Sequence, residues 1–164
     1  MVAVKTLIFT VLVPGTVAGL VPYLLLSSNV QQWFPMRFGV IRFLGPVPML
    51  VGILIYLWCA WDFTFTGRGT PAPIDPPKEL VVKGLYRYVR NPMYVGVLLI
   101  LLGEALLFES VVVLLYALLL LSASHLFVVF YEEPTLARVF GASYERYRQS
   151  VRRWLPRVPM REKE

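Results

Sequence analysis

Between Lys83 and Gly96 the chain reads KGLYRYVRNPMYVG, which packs three tyrosines, three basic residues and an Asn-Pro step into fourteen positions. The residue before a proline is pushed out of the helical region, and proline itself makes a good first helical residue, so loop is predicted to become helix at Asn91-Pro92. Such a junction offers backbone N–H groups without intrahelical partners and the positive end of a helix dipole. Both suit an anionic group, and Arg87 and Arg90 add formal charge beside it. Tyr86, Tyr88 and Tyr94 offer flat faces for a ring. A plain interfacial loop also collects arginines and tyrosines as orientation and belt residues, so this stretch alone leaves both readings open.

A second stretch, EEPTLARVFGASYERYRQSVRRWLP, begins at Glu132 where a long apolar segment ends. Together the two stretches resemble the isoprenylcysteine carboxyl methyltransferase and phospholipid methyltransferase group of integral-membrane enzymes. In that group the first motif runs Gly, an aromatic, Arg-His-Pro, Tyr and Gly, and here Gly84, Tyr86, Arg90, Pro92, Tyr94 and Gly96 match while Asn91 replaces the histidine. The second motif is a Glu-Glu pair, Phe-Gly, two spaced tyrosines, a basic stretch and a proline. Glu132, Glu133, Phe140, Gly141, Tyr144, Tyr147, Arg153 and Pro156 match it. The likeness covers Leu80 to Pro156 and says little about the first 65 residues.

The resemblance implies S-adenosyl-L-methionine as methyl donor, with Val82, Gly84, Leu85, Tyr86, Arg90, Asn91, Pro92, Tyr94, Gly96, Glu132 and Glu133 as its contacts. It implies catalytic roles for Glu133 and Arg90, and a lipid or lipidated acceptor reached by Tyr147 and Arg153. Leu80 and Val81 join Val82 as candidate wall residues, and no metal is implied. Asparagine keeps a hydrogen-bonding side chain but has no titratable group, so an acid–base role at position 91 is not expected. NADPH-using membrane sterol and enone reductases have a similar Arg-His/Asn-Pro-x-Tyr element and a late Tyr-x-x-Tyr. The Glu-Glu pair followed by Phe-Gly favours the methyltransferase. A non-enzymatic small membrane protein is a third reading, against which stands the clustering of the motif residues at one membrane face.

The elements that must position these groups follow from composition. At 164 residues and 57% hydrophobic content the chain is too apolar for an ordinary soluble domain. A spanning helix needs about 20 mainly apolar residues, which leaves room for four. The expected fold is all-α: a single polytopic membrane bundle of about four transmembrane helices plus an amphipathic C-terminal helix on the cytoplasmic surface. The spans are expected at Lys5–Leu26, Phe43–Phe63, Pro92–Phe108 and Val111–Tyr131, with Glu109-Ser110 as a turn and the first segment retained rather than cleaved as a signal peptide. Asn29–Arg42 is expected along the far interface. Gly15 and Gly19 suggest a small-residue packing face. Four prolines between Pro71 and Pro77 mark an extended linker. The surface helix is read from Leu136, Val139, Phe140, Tyr144, Tyr147, Val151 and Leu155, spaced by three or four. Cys59 has no second cysteine to pair with and reads as a packing residue.

Of the 16 basic residues, 14 fall on the side of the termini and the long loop, and only Arg37 and Arg42 on the other. Positive charge favours the cytoplasm, so both termini and that loop are expected inside, as in a prokaryotic inner membrane. The net charge of +6 is then a topology and membrane-lipid signal and does not point to nucleic acid. The same topology places Asn91-Pro92 and Glu132-Glu133 at one end of an antiparallel hairpin. The third span is short for the bilayer, which sets its entry below the surface, in a crevice. His125 lies two turns before Glu132 and is the candidate for the substrate route, while Glu104 is expected to face the far interface.

Overall fold

The computed structural model describes residues 2–29, 37–65 and 80–156. The Asn29–Arg42 stretch is therefore seen only in part, and the proline-rich linker and the basic residues after Pro156 lie outside the described residues. Helix α1 (Val2–Gly15) passes through a π turn (Thr16–Leu20) into α2 (Val21–Ser27). The turn has a cause in the sequence. Val21 N–H bonds the Thr16 carbonyl five residues back, and the next donor would be Pro22, which has no N–H. The Val17 carbonyl so released accepts a hydrogen bond from Tyr116 Oη at 3.0 Å.

A 3-10 turn (Gly39–Leu44) leads into α3 (Pro46–Phe65), and a second one (Gly84–Arg87) precedes α4 (Pro92–Leu107). Helix α5 (Val111–Phe127) runs through another π turn (Val128–Glu132) into α6 (Glu133–Phe140), and α7 (Ala142–Ser150) follows. Among the described residues there is no strand, only a single parallel bridge between Val89 and Arg152. Val4–Ser27, Gly39–Phe65 and Val111–Phe140 are long and apolar enough to cross a membrane, and Pro92–Leu107 is a shorter apolar helix. The fold is the polytopic helical membrane bundle that the sequence predicts. Its 16-residue α4 spans about 24 Å, less than a hydrocarbon core of about 30 Å.

The closest packing is not where the Gly15/Gly19 face predicts it. A Cβ on Gly19 would find no atom within 4 Å, and one on Gly15 only the carbonyl of Thr10 in the same helix. The backbones instead meet between α3 and α4, antiparallel, with Gly52 against Gly96 and Gly45 against Gly103. Gly96, a motif glycine, therefore serves helix packing. A Cβ there would lie 2.9 Å from the Gly52 carbonyl and 3.2 Å from Tyr56 N, both backbone atoms that cannot swing aside. Gly96→Ala is expected to destabilise the bundle by about 1–3 kcal/mol through overpacking, measured as a lowered melting temperature in detergent.

At the far end, Glu109 takes φ +52 to turn the chain, and its carboxylate accepts from Phe38 N (2.7 Å) and Gly39 N (3.1 Å). Ser110 caps α5 by accepting from Val113 N. Glu104, expected at that interface, instead holds one carboxylate oxygen buried without a hydrogen-bond partner among the described residues. The C-terminal surface segment also differs from expectation, being two short helices rather than one. Gly141 stands between them at φ +51, ψ −128, a conformation open to glycine and strained for other residues.

Candidate active site

Asn91 adopts φ −122, ψ 54, outside the helical region, and Pro92 is the buried first residue of α4. The Asn91 side chain does not cap that helix. Its Nδ2 donates to the carbonyl of Arg153 at 3.2 Å, while Arg90 N–H donates to the carbonyl of Arg152 at 2.9 Å. The first motif and the C-terminal segment thus run side by side. Tyr147 Oη adds a bond to the Tyr86 carbonyl at 2.8 Å. Burial pushes the Tyr147 phenol above its usual range, with the Arg90 charge opposing, and Tyr86 is raised by burial too. Both phenols are therefore protonated at neutral pH, as a donor at position 147 requires.

Beneath this pairing lies a compact ion cluster. Glu133, 7% exposed, receives both Arg153 Nε (2.7 Å) and Arg153 Nη2 (3.0 Å) in bidentate fashion and has Arg90 Nη1 at 3.1 Å. The bond to Glu133 also raises the pKa of Arg153. Neighbouring Glu132 goes elsewhere because of the π turn: Glu133 N–H bonds the Val128 carbonyl five residues back, and Pro134 has no N–H to restore the normal register. Two consecutive carboxylates are thereby separated in role. Glu133 neutralises arginines, and Glu132 accepts from Tyr94 Oη at 3.2 Å.

Glu132 and Tyr94 face a cavity of about 500 Å³ enclosed by α1, α4, α5 and the loop that starts at Leu80. The end where the two motifs meet is polar, with Arg90, Asn91, Tyr94, Glu132, Thr135 and Tyr147. The rest is apolar, with Phe9, Val13, Val17, Leu98, Leu120 and Phe127. This volume falls within the range of small-molecule sites, roughly 300–1,000 Å³. Among the described residues no His, Cys, Asp and Glu group could hold a metal.

Of the residues singled out in the sequence, Tyr86, Arg90, Asn91, Tyr94, Glu132 and Tyr147 line this cavity, as do Leu80 and Val81. Gly84, Leu85, Pro92 and Gly96 do not line it, and neither does Val82, which is 40% exposed. Glu133 lines only a void of about 20 Å³ beside Arg90 and Tyr144. Arg153 lines neither. His125 is also outside the cavity, where its Nδ1 accepts from Trp154 Nε1 at 3.0 Å. The extra residue of the π turn shifts the register by one position, so Ser124 rather than His125 shares the Glu132 face. Pro134 was the signal for that shift. The contribution of Phe9, Val13, Pro14 and Val17 from α1 carries no motif and had no signal in the sequence.

The family model for phospholipid methyltransferases matches residues 40–143. The chain belongs to the phospholipid methyltransferase family. It is also 39% identical over 80 residues to the protein-S-isoprenylcysteine O-methyltransferase of Schizosaccharomyces pombe (strain 972 / ATCC 24843), a match covering 49% of this chain and 34% of that one. The chain therefore matches about a third of the length of that curated relative. No solved structure matches it. Within this phospholipid methyltransferase family member, the matched region ends at position 143, just before Tyr144, Tyr147 and Arg153 complete the polar end.

Asn91 can be tested directly. Asn91→Leu removes the donor to Arg153 and leaves a partly buried carbonyl without that partner, so melting should fall by the equivalent of about 1–3 kcal/mol. Asn91→His, which can still donate, should retain most of the stability and of any activity.

Proposed function

We propose that this protein transfers a methyl group from S-adenosylmethionine to an acceptor carried by the membrane, such as a phospholipid amine or a prenylcysteine carboxylate. The observation that carries the reading is the cavity itself, polar where the two motifs meet and apolar along α1 and α5. When bound, S-adenosylmethionine supplies a methyl group on a positively charged sulfur, ready for displacement by a nucleophile. The residues fit its chemistry. Glu132 and Tyr94 suit ribose hydroxyls or an ammonium, Arg90 and the start of α4 suit a carboxylate, and Tyr86 and Tyr147 offer rings beside an adenine. The protein's task is alignment and exclusion of water.

A carboxylate acceptor needs no base. An ammonium acceptor must first lose a proton, and Glu132 is the carboxylate that faces the cavity, whereas Glu133 is held by two arginines. On this reading the acceptor reaches the site from the bilayer and the donor from the side of the termini, which the bias of basic residues leads us to expect in the cytoplasm. Purified protein in liposomes, given S-adenosylmethionine labelled in its methyl group, should move label into phosphatidylethanolamine or a prenylcysteine. Absence of label in either acceptor, with oxidation of NADPH instead, would favour a reductase and end this reading.

A further inference from the structure

His125 is the chain's single histidine and stands near the end of the mostly apolar α5, outside the cavity. An ionisable side chain in a spanning helix calls for a function, and its partner is the guide to it. That partner is Trp154, whose Nε1 donates to His125 Nδ1 at 3.0 Å. An indole N–H can only donate, so Nδ1 carries no proton and the imidazole is neutral in this contact. Trp154 lies in the C-terminal segment, beyond the residues 40–143 matched by the family model. That segment is fastened without the indole. The carbonyls of Arg152 and Arg153 accept from Arg90 N–H and Asn91 Nδ2, and the Arg153 side chain holds Glu133 through two bonds.

What the His125 bond adds is the orientation of one ring. The indole and imidazole centroids are 6.1 Å apart, and the indole meets the Tyr94 ring edge to face, at 6.2 Å and 76°. Tyr94 lines the cavity and Trp154 does not, so the indole backs the phenol from outside it. Tyr94 Oη reaches Glu132 at 3.2 Å, longer than the usual span for an O–H donor, so the aim of this hydroxyl depends on how its ring is held. We propose that His125 is a positioning residue: by fixing Trp154 it holds the Tyr94 ring so that the hydroxyl, paired with Glu132, is presented to the bound methyl donor. The proposal rests on the methyl-transfer reading for what Tyr94 and Glu132 bind, but the link from His125 through Trp154 to Tyr94 stands on its own contacts.

Two measurements on the detergent-purified protein test it. In the first, the tyrosine ring carbon that bears the hydroxyl is isotopically labelled, and the NMR signal of Tyr94 is assigned by its loss in Tyr94→Phe. His125→Leu should shift or broaden that signal, as should Trp154→Phe, which keeps a ring and removes only the N–H. His125→Asn, whose amide oxygen stands where Nδ1 does, should return the signal to its wild-type position. In the second, S-adenosylhomocysteine is titrated by calorimetry. His125→Leu should weaken its binding about fivefold, the worth of one hydrogen bond, and His125→Asn should restore most of it. Added to Tyr94→Phe, His125→Leu should weaken binding no further while still lowering the melting temperature, because the hydroxyl it positions is already gone. A Tyr94 signal or a wild-type affinity unmoved by His125→Leu, or an equal loss of affinity with and without the Tyr94 hydroxyl, would overturn the proposal and leave His125 as an anchor of the C-terminal segment. A Tyr94 signal that responds to His125→Leu in a protein that binds no S-adenosylhomocysteine would instead remove the methyl-transfer reading and keep the link from His125 to Tyr94.

Discussion

Glu133→Ala will destabilise the folded protein by about 3–5 kcal/mol, the range for removing one partner of a buried ion pair and leaving charge uncompensated. The expectation is at the upper side of single-site effects because one carboxylate serves two guanidiniums. Arg90 is largely buried and Arg153 partly so, and both lose their only carboxylate contact among the described residues. The residue pair also joins α4's entry to the C-terminal segment, so limited proteolysis should cut near Gly141 faster in the variant. Glu133→Gln, which can still accept hydrogen bonds, should lose less. A melting temperature unchanged in Glu133→Ala would mean that the cluster contributes nothing to holding the segment down.

Glu132→Ala should fail in the opposite way. Its carboxylate faces the cavity and has a single hydrogen bond among the described residues, from Tyr94, so its loss removes little from the packing. If it contacts the cofactor, binding should weaken by about 1.5–3 kcal/mol, or roughly 10- to 150-fold, with the melting temperature within a few degrees of wild type. With an amine acceptor the rate should fall further, by about 100-fold or more, through loss of the base, and recover in part as pH rises and the free amine becomes more abundant. The contrast between adjacent glutamates, one structural and one facing the ligand space, is the sharpest consequence of the π turn. Reversal of the two phenotypes would mean that the carboxylates have each other's roles.

The sequence carried the motif residues and the hairpin that brings them together, because both depend on local signals: an Asn-Pro step, apolar runs of spanning length and the bias of basic residues. Asn91, Tyr94 and Glu132 line one cavity, with Tyr94 bonded to Glu132. What it did not carry depends on backbone register and on contacts distant in the chain. A seven-residue spacing puts His125 on the Glu132 face of a regular helix, and only the turn imposed ahead of Pro134 replaces it with Ser124. The glycines that govern packing were visible, but which helices they join was not. Gly52 and Gly96 are 44 positions apart, and Gly15 and Gly19, with the more familiar spacing, face no helix. Gly141 likewise reads as a motif residue and also sets the break between α6 and α7.

The central claim is that the cavity bounded by the two motifs binds S-adenosylmethionine. Isothermal calorimetry of the purified protein with S-adenosylhomocysteine, and separately with NADPH, tests it most directly. The account predicts saturable binding of one S-adenosylhomocysteine per chain, weakened by Glu132→Ala and by Tyr94→Phe at unchanged melting temperature, and no heat of binding with NADPH. Saturable NADPH binding without S-adenosylhomocysteine binding would contradict it.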